Sequence, residues 1–370
     1  MIGADSSDWG FEAGNGRDRD FLMAQRQILP IETTRRRRNC LVAAYTGQID
    51  GRVFLDRITI GFRSPSQEAI MGVRLNLQWI AAAVVCVAAG AAHAQELAGT
   101  LKKIKETGVV GLGIRESSVP FSYSDNQQKN IGYSRDIAAK IIDEIKRQLK
   151  LPALIVKEIP ITSQNRIALV QNGTIDFECG STTNTLERQK QAAFSNSIFL
   201  YGIRFSTRKD SGIKDFGDLA GKTVATTAGT SDERLLRKLN EDKAMNMTII
   251  SAKDHAEAFM NVTTGRAVAF VMDEPLLYGE LAKEKNPSAY QVTGTPLVHE
   301  NYACMMRRDD PAFKQLIDAV IARMQTSGDA EKLYDKWFTQ PIPPRGLNLN
   351  YPLSPEMRAL FRSPSDRAQY

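Results

Sequence analysis

From Gln95 onward, short apolar runs bounded by glycine or polar residues alternate with stretches whose apolar residues recur every three or four positions. The run GVVGLGI at 108–114 predicts a buried strand. Over 134–150, Ile137, Ile141, Ile142, Ile145 and Leu149 share one helical face, with Ser134 as the expected N-cap. A strand is predicted over 153–159. A helix capped by Ser163 then runs through Val170 and stops at Asn172-Gly173. Residues 175–180 read as a strand, after which Thr183 or Asn184 opens a short helix.

Residues 195–210 read as extended chain and lead into a second series. Its strand is 222–227, its turn Ala228 to Ser231 and its helix 232–239. A strand over 247–252, a helix from Asp254 to about Thr263 and a strand over 266–273 follow. Residues 300–310 are extended again, and helices are predicted over 311–328 and 330–338. Alternation of this kind predicts an α/β fold with parallel sheets flanked by helices. Two blocks joined by two extended crossings predict two lobes with a cleft between them. Lobe 1 is expected at 95–203 plus 303–345, lobe 2 at 204–302, and 346–370 as a tail packed on a lobe. Ligands of such sheets lie beyond the carboxyl ends of the strands. Arg115, Ser163, Ser181, Thr227 and Asp273 all follow predicted strands.

Composition separates the start of the chain from the rest. Residues 1–94 contain 11 Arg and no Lys, whereas 95–370 contain 20 Lys and 17 Arg. Residues 1–70 show no sustained period and are expected not to fold, as an over-extended start. A cytoplasmic extension ahead of a membrane anchor is the alternative. Met71 opens a second beginning: Arg74 supplies a positive region, Leu75 to Ala92 an apolar one, and Ala92-His93-Ala94 a small-residue cleavage site. A cleavable signal peptide over 71–94, cut after Ala94, and a periplasmic location are therefore expected. Export would remove Cys40 and Cys86 and leave Cys179 and Cys304 in an oxidising compartment. A Cys179–Cys304 disulfide is expected, with two buried free thiols as the alternative. Three histidines and four scattered cysteines give no zinc spacing, and no cofactor is expected. The net charge of +6 is modest for 370 residues and forms no basic stripe interleaved with aromatics, so no nucleic-acid partner is expected.

Three stretches carry a resemblance: ITSQNRIALVQNGTIDFECGSTTNTLERQKQAAFS from Ile161, IKDFGDLAGKTV from Ile213 and RAVAFVMDE from Arg266. Together they resemble the periplasmic amino-acid-binding proteins of ABC importers, family 3 extracellular solute-binding proteins, over about residues 96–370. The first motif is long and specific. The resemblance implies the two-lobed type II periplasmic-binding-protein fold, capture of glutamate or aspartate, delivery to a membrane permease, and a monomer. It places the ligand at Arg115, Ser163, Arg166, Ser181, Thr183, Arg188, His255 and Asp273. The turn Thr227 to Ser231 departs in places from the family's run. Thr230 is the candidate there, with Thr227 and Ser231 beside it.

The residue chemistry points the same way. A free amino acid needs a cation for its α-carboxylate and an anion for its ammonium. Arg188 suits the first through a bidentate fork, and Asp273 the second. Arg115 and Arg166 are then in excess, and buried unpaired cations are costly. A side-chain carboxylate would join them, with Ser163 donating a hydroxyl and His255 a further hydrogen bond. Taken singly, each residue has a plainer reading. Arg166 would pair with Glu158 or Asp176, Arg188 would sit beside Glu187, Asp273 would cap a helix, and Ser163 and Thr183 would be caps. No catalysis is expected. The alternative is a dehydratase-like periplasmic enzyme on the same fold, for which Glu178 and Glu274 are the nearest carboxylates.

Overall fold

The computed structural model describes residues 97–368, together with the backbone of 40–49 and 52–62. The predicted signal peptide over 71–94 lies outside the described residues. The chain divides into two compact units, Met1–Ala92 and His93–Tyr370.

In the first unit, β1 (Cys40–Ile49) pairs antiparallel with β2 (Arg52–Phe62), and Ile49 faces Arg52. The sequence reading predicted no strand within 1–70. The hairpin's signal is local. Leu41, Tyr45, Val53, Leu55, Ile58 and Ile60 are strand formers, and Asp50-Gly51 between the strands is a pair favoured in two-residue hairpin connections.

The second unit opens with α1 (Gly99–Thr107), β3 (Val109–Ile114), and the short strands β4 (Ser117–Ser118), β5 (Ser122–Ser124) and β6 (Asn130–Ile131). Then come α2 (Tyr133–Leu149), β7 (Ile155–Pro160), α3 (Arg166–Gln171), β8 (Phe177–Glu178) and α4 (Leu186–Gln189). The long β9 (Ala193–Arg208) leads into β10 (Thr223–Thr227), α5 (Ser231–Asp242), β11 (Thr248–Ala252), α6 (His255–Thr263), β12 (Ala269–Asp273), α7 (Glu274–Lys283) and β13 (Tyr290–Thr293). The unit closes with β14 (His299–Met306), α8 (Pro311–Thr326), α9 (Asp329–Phe338) and α10 (Pro355–Arg362).

Both lobes share one strand. β9 has 16 residues. Its first part, from Ala193 to Gly202, pairs with β14 in the lobe 1 order β7-β3-β8-β14-β9. Its second part, from Ile203, pairs with β12 in the lobe 2 order β9-β12-β10-β11, with β13 along its other edge. Strands β3, β7 and β8 are mutually parallel, as are β10, β11 and β12, but β9 and β14 run antiparallel to their neighbours. Purely parallel sheets were expected; each lobe instead carries antiparallel strands, because β9 serves both. The return crossing sits earlier than 302. The Ile203 N–H donates to Val298 O at 3.1 Å and Leu297 N–H donates to Ile203 O at 3.0 Å. From His299 on, β14 already pairs with the lobe 1 part of β9.

Several helix starts differ from expectation. The N-cap of α2 is Gly132, at φ 135°, not Ser134. A Cβ on Gly132 would lie 2.3 Å from Phe121 O, so only glycine fits there. Ser134 Oγ instead donates to Gly180 O at 2.8 Å. Ser163 does not cap α3. Thr162 and Asn165 close that turn reciprocally, with Thr162 N–H donating to Asn165 Oδ1 at 2.8 Å and Asn165 N–H to Thr162 Oγ1 at 3.3 Å. Thr185, rather than Thr183 or Asn184, caps α4 by accepting from Arg188 N–H at 3.2 Å. Asp254 caps α6 as expected, accepting from Glu257 N–H.

The lobe 1 core is aromatic. Phe199 stacks on Phe338 with centroids 4.8 Å apart, and Phe121 meets Tyr302 edge-on at 4.9 Å. Such pairs each contribute about 0.5–1.5 kcal/mol beyond area burial. The tail touches both lobes, not one. Met357 and Phe361 of α10 are buried against lobe 1, and Ser197 N–H donates to Ser365 O at 2.8 Å. Tyr351 donates to Glu274 Oε2 at 3.1 Å in lobe 2, and just ahead of the tail Arg345 Nη1 donates to Lys283 O at 3.1 Å.

Cys179 and Cys304 are bonded, 125 residues apart in sequence, and tie the end of β8 to β14. A cross-link closing so long a loop constrains the unfolded chain strongly. Replacing both cysteines with serine is expected to lower stability by about 2–5 kcal/mol, read as a lower urea midpoint; an unchanged midpoint would contradict this.

Candidate functional site

Arg115 follows β3 directly. Its backbone is fixed on both sides: its N–H donates to Ser122 Oγ at 3.0 Å and its carbonyl accepts from Asn130 Nδ2 at 2.6 Å. Its guanidinium is buried, with Nη2 3.4 Å from His255 Nε2 and Nη1 without a partner among the described residues. Arg166 is the first residue of α3, where the helix dipole disfavours a cation. It is 1% exposed. Its Nη1 donates to Ser181 O at 3.1 Å and to Thr182 Oγ1 at 2.5 Å, while Nε has no partner. Burial, and after it the nearby Arg188, pulls its pKa down to about 9. Arg188 lies in the single turn of α4. Its Nη1 donates to Thr183 O at 3.0 Å and its Nη2 crosses to lobe 2, donating to Gly229 O at 3.1 Å.

The partners named in the plainer reading of these arginines are engaged elsewhere. Asp176 binds Lys103 at 2.6 Å and the Gly111 N–H. Glu158 pairs with Arg135 at 2.7 Å, and Glu187 faces Arg234 at 3.7 Å. Among the described residues, Arg115, Arg166 and Arg188 form no ion pair with a carboxylate; their side-chain hydrogen-bond partners are neutral oxygens and a histidine nitrogen. Ser163, released from capping, is buried with its hydroxyl unpartnered. Ser181 Oγ is 3.4 Å from Ser118 Oγ.

Lobe 2 supplies His255, Asp273 and Thr230. His255 opens α6. Its Nε2 faces Arg115 and its Nδ1 lies 2.9 Å from Thr227 Oγ1. Burial, followed by the charge of Arg115, holds it well below the ordinary histidine range, so the ring is neutral. Arg115 can only donate, so Nε2 accepts and Nδ1–H donates to Thr227. Both nitrogens thus have partners within the protein, Nε2 at Arg115 and Nδ1 at Thr227. Thr230 is likewise occupied: it caps α5, accepting from Glu233 N–H at 3.1 Å and donating to Thr227 O at 2.7 Å.

Asp273 ends β12, buried, and makes no side-chain cap to α7. One oxygen accepts from the Tyr302 hydroxyl and the other, Oδ1, is unpartnered. Two residues absent from the sequence reading join it. Asp232 is buried with both oxygens unpartnered by any donor. Glu300 Oε2 accepts from Tyr201 and from Ser231, both at 2.8 Å. Burial comes first in raising each carboxyl above its ordinary range. The charge of Glu300 follows for Asp273, which is pushed up to about 7, and that of Asp273 follows for Asp232. Asp232 looked like an ordinary acid in a helix's first turn. Glu300 left a clearer trace, as a charge at the edge of the apolar run NYACMM. Among the described residues no group is placed to hold a metal.

The lobes meet closely around these side chains. Thr183 Oγ1 bonds Tyr201 at 2.9 Å and reaches Ser231 Oγ of lobe 2 at 3.0 Å. A Cβ on Gly229 would come within 2.8 Å of the Gln164 backbone, and one on Gly279 within 2.1 Å of Val119 O.

Two α/β lobes hinged on a shared strand and closed over unpaired buried arginines define a small-solute-binding protein of the type II periplasmic fold. The profile of bacterial extracellular solute-binding proteins, family 3, matches residues 110–340, and the chain belongs to that family. The glutamate/aspartate import solute-binding protein of Escherichia coli K12 is 56% identical over 300 residues, covering 80% of this chain and 99% of that protein. The L-glutamate/L-aspartate-binding protein of Pseudomonas aeruginosa is 57% identical over 276 residues, covering 74% and 91%. Among solved structures, the P235GK mutant of ArgBP from T. maritima superposes with a TM-score of 0.57 at 27% identity, over 64% of this chain and 98% of that one.

Gly279 lies inside α7, where alanine would ordinarily favour the helix by about 1 kcal/mol. Its Cβ would collide with Val119 O across the lobe boundary. Gly279→Ala is expected to leave the lobes folded but unable to close, giving a larger radius of gyration in small-angle scattering; an unchanged radius would show that the contact yields.

Proposed function

We infer that this protein is the periplasmic component of an ABC importer that captures L-glutamate or L-aspartate and presents it to a membrane permease. It would act as a monomer after removal of the signal peptide over 71–94. One observation carries the reading: three arginines are buried between the lobes with no carboxylate paired to them among the described residues. Burying a cation unpaired is strongly unfavourable. An anionic ligand resolves this at each position. The relatives' glutamate and aspartate specificity supports the assignment.

The roles follow from the open valences. Arg188, beside the lobe boundary, suits the α-carboxylate. Asp273 Oδ1 suits the ammonium. Arg115 Nη1, Arg166 Nε and Ser163 Oγ are unpartnered donors suited to a side-chain carboxylate. Thr183 stands at the junction, bonded to both lobes, with Ser181 holding Arg166 through its carbonyl. A ligand that touches both lobes favours the closed arrangement by its differential affinity, and closure is the signal a permease reads. Of the two carboxylates named for the enzyme alternative, Glu274 is held by Arg204 at 2.5 Å and by Tyr351, and Glu178 is buried and accepts from the Thr182 hydroxyl.

Calorimetric titration of ligand-stripped protein is expected to give tight 1:1 binding of glutamate or aspartate. Heat with only glutamine or asparagine would refute the assignment. Arg166→Ala should weaken glutamate by about 2–4 kcal/mol, roughly 30- to 1000-fold, and glutamine less; equal losses would remove Arg166 from the side-chain role.

Binding should also release a proton. Asp273 is raised to about 7 in the ligand-free protein, and an incoming ammonium favours its ionised form. Affinity therefore rises with pH up to about 7 and falls below it, by at most about tenfold per pH unit for one proton. Titrations in buffers of different ionisation enthalpy measure the proton directly; none released near pH 6.5 would contradict the assignment.

A further inference from the structure

Glu178 is fully buried at the end of β8, among the arginines yet paired with none of them. Its Oε1 accepts from the Thr182 hydroxyl, and that hydroxyl accepts from Arg166 Nη1 at 2.5 Å. Its Oε2 is buried and has no partner. It also runs close to Arg115: a Cβ built on Gly180 would sit 3.1 Å from both Glu178 Oε2 and Arg115 Cγ. Of the opposite charges acting on Arg115 and on Arg166, Glu178 is the strongest. No step of the binding reading above uses it.

The charges around the ligand's side chain can be counted. Arg115 and Arg166 are two positive charges, His255 is neutral, and Glu178 is one negative charge. The sum is one positive charge, in a region closed to water where an unbalanced charge is costly. We propose that Glu178 is a specificity-determining residue: a built-in counter-anion that sets the side-chain pocket to accept one negative charge. Its carboxylate need not touch the ligand. Thr182 passes its influence to Arg166, and Glu178 Oε2 and the stem of Arg115 both flank Gly180. A neutral side chain such as that of glutamine then leaves one positive charge unbalanced. A doubly charged group, such as a phosphonate, leaves one negative charge unbalanced. Without Glu178 the pocket would carry two positive charges and favour the dianion.

The proposal rests on the acidic amino-acid reading, and the test separates the two. Wild-type protein and Glu178→Gln, which keeps the size and an acceptor for Thr182, are titrated at pH 8. The ligands are glutamate, glutamine and the glutamate analogue bearing a γ-phosphonate, a dianion at that pH. Wild type is expected to bind glutamate at least 100-fold better than the phosphonate. In Glu178→Gln that ratio should shrink tenfold or more, while the preference for glutamate over glutamine is kept or grows. An equal loss for all three ligands would make Glu178 a packing residue and overturn the proposal. Wild type that binds neither glutamate nor aspartate would overturn the underlying reading and the proposal with it. Should Glu178→Gln fail to fold, Arg115→Gln tests the same count with the opposite sign. Glu178 then balances Arg166, the pocket sums to zero, and glutamine should bind better than glutamate; a retained tenfold preference for glutamate overturns the proposal.

Discussion

Desolvation of three guanidinium groups between two lobes is the constraint on which the rest of this structure depends. An arginine cannot shed its charge as a buried lysine can. Each one must therefore be held by neutral oxygens until an anion arrives. The chain supplies these from turns rather than from carboxylates. Ser181 and Thr183 lend carbonyls to Arg166 and Arg188, and Gly229 lends one from the opposite lobe. Asp176, Glu158 and Glu187 are turned away toward Lys103, Arg135 and Arg234. Even the capping chemistry conforms: Thr162 and Asn165 close the start of α3 between themselves, which releases the Ser163 hydroxyl.

The opposite charge is gathered on the other side of the junction, and it is gathered in excess. Asp273, Asp232 and Glu300 are three buried carboxyls, and an amino acid brings one ammonium. Burial, and for Asp273 and Asp232 the charge of neighbouring carboxylates after it, raises these carboxyls above their ordinary range. The hydroxyls of Tyr201, Tyr302 and Ser231 satisfy part of this group. Charge is thus separated across the junction, with cations toward lobe 1 and acids toward lobe 2 and the crossing strands. An amino acid, with its own separated charges, fits that polarity in one orientation.

Motion and site share the same parts. β9 runs through both sheets, so the lobes bend about a strand and not about a loose linker. Tyr302 links core to site: its ring lies in the aromatic cluster of lobe 1 and its hydroxyl meets Asp273 of lobe 2. The disulfide fixes the end of β8 to β14, beside Glu178 and Glu300 on those same strands. Polar groups at the junction are thereby held by packed cores on both sides, and a ligand meets groups whose positions are already set.

Much of this was legible in residue order. Apolar periodicity located the longer strands and most helices from 108 to 338, but not the short β4, β5, β6 and β13 or the helix α7. Arg115 and Arg166, in excess of the charges a neutral amino acid needs, and Asp273, at a strand end, stood out before any geometry was known. The cysteines at 179 and 304 were the pair that export would leave. What the sequence could not determine was which side chains spend their valences on the protein itself. Ser163 and Thr183 read as caps, yet Asn165 and Thr185 are the N-caps; the ring nitrogens of His255 face Arg115 and Thr227. Glu178, Asp232 and Glu300 look like ordinary acids in the chain. Their burial beside other charges follows from strand order and lobe closure, which bring together residues more than a hundred positions apart. Burial and hydrogen-bond partnership are properties of that assembly, and only the tertiary structure decided them.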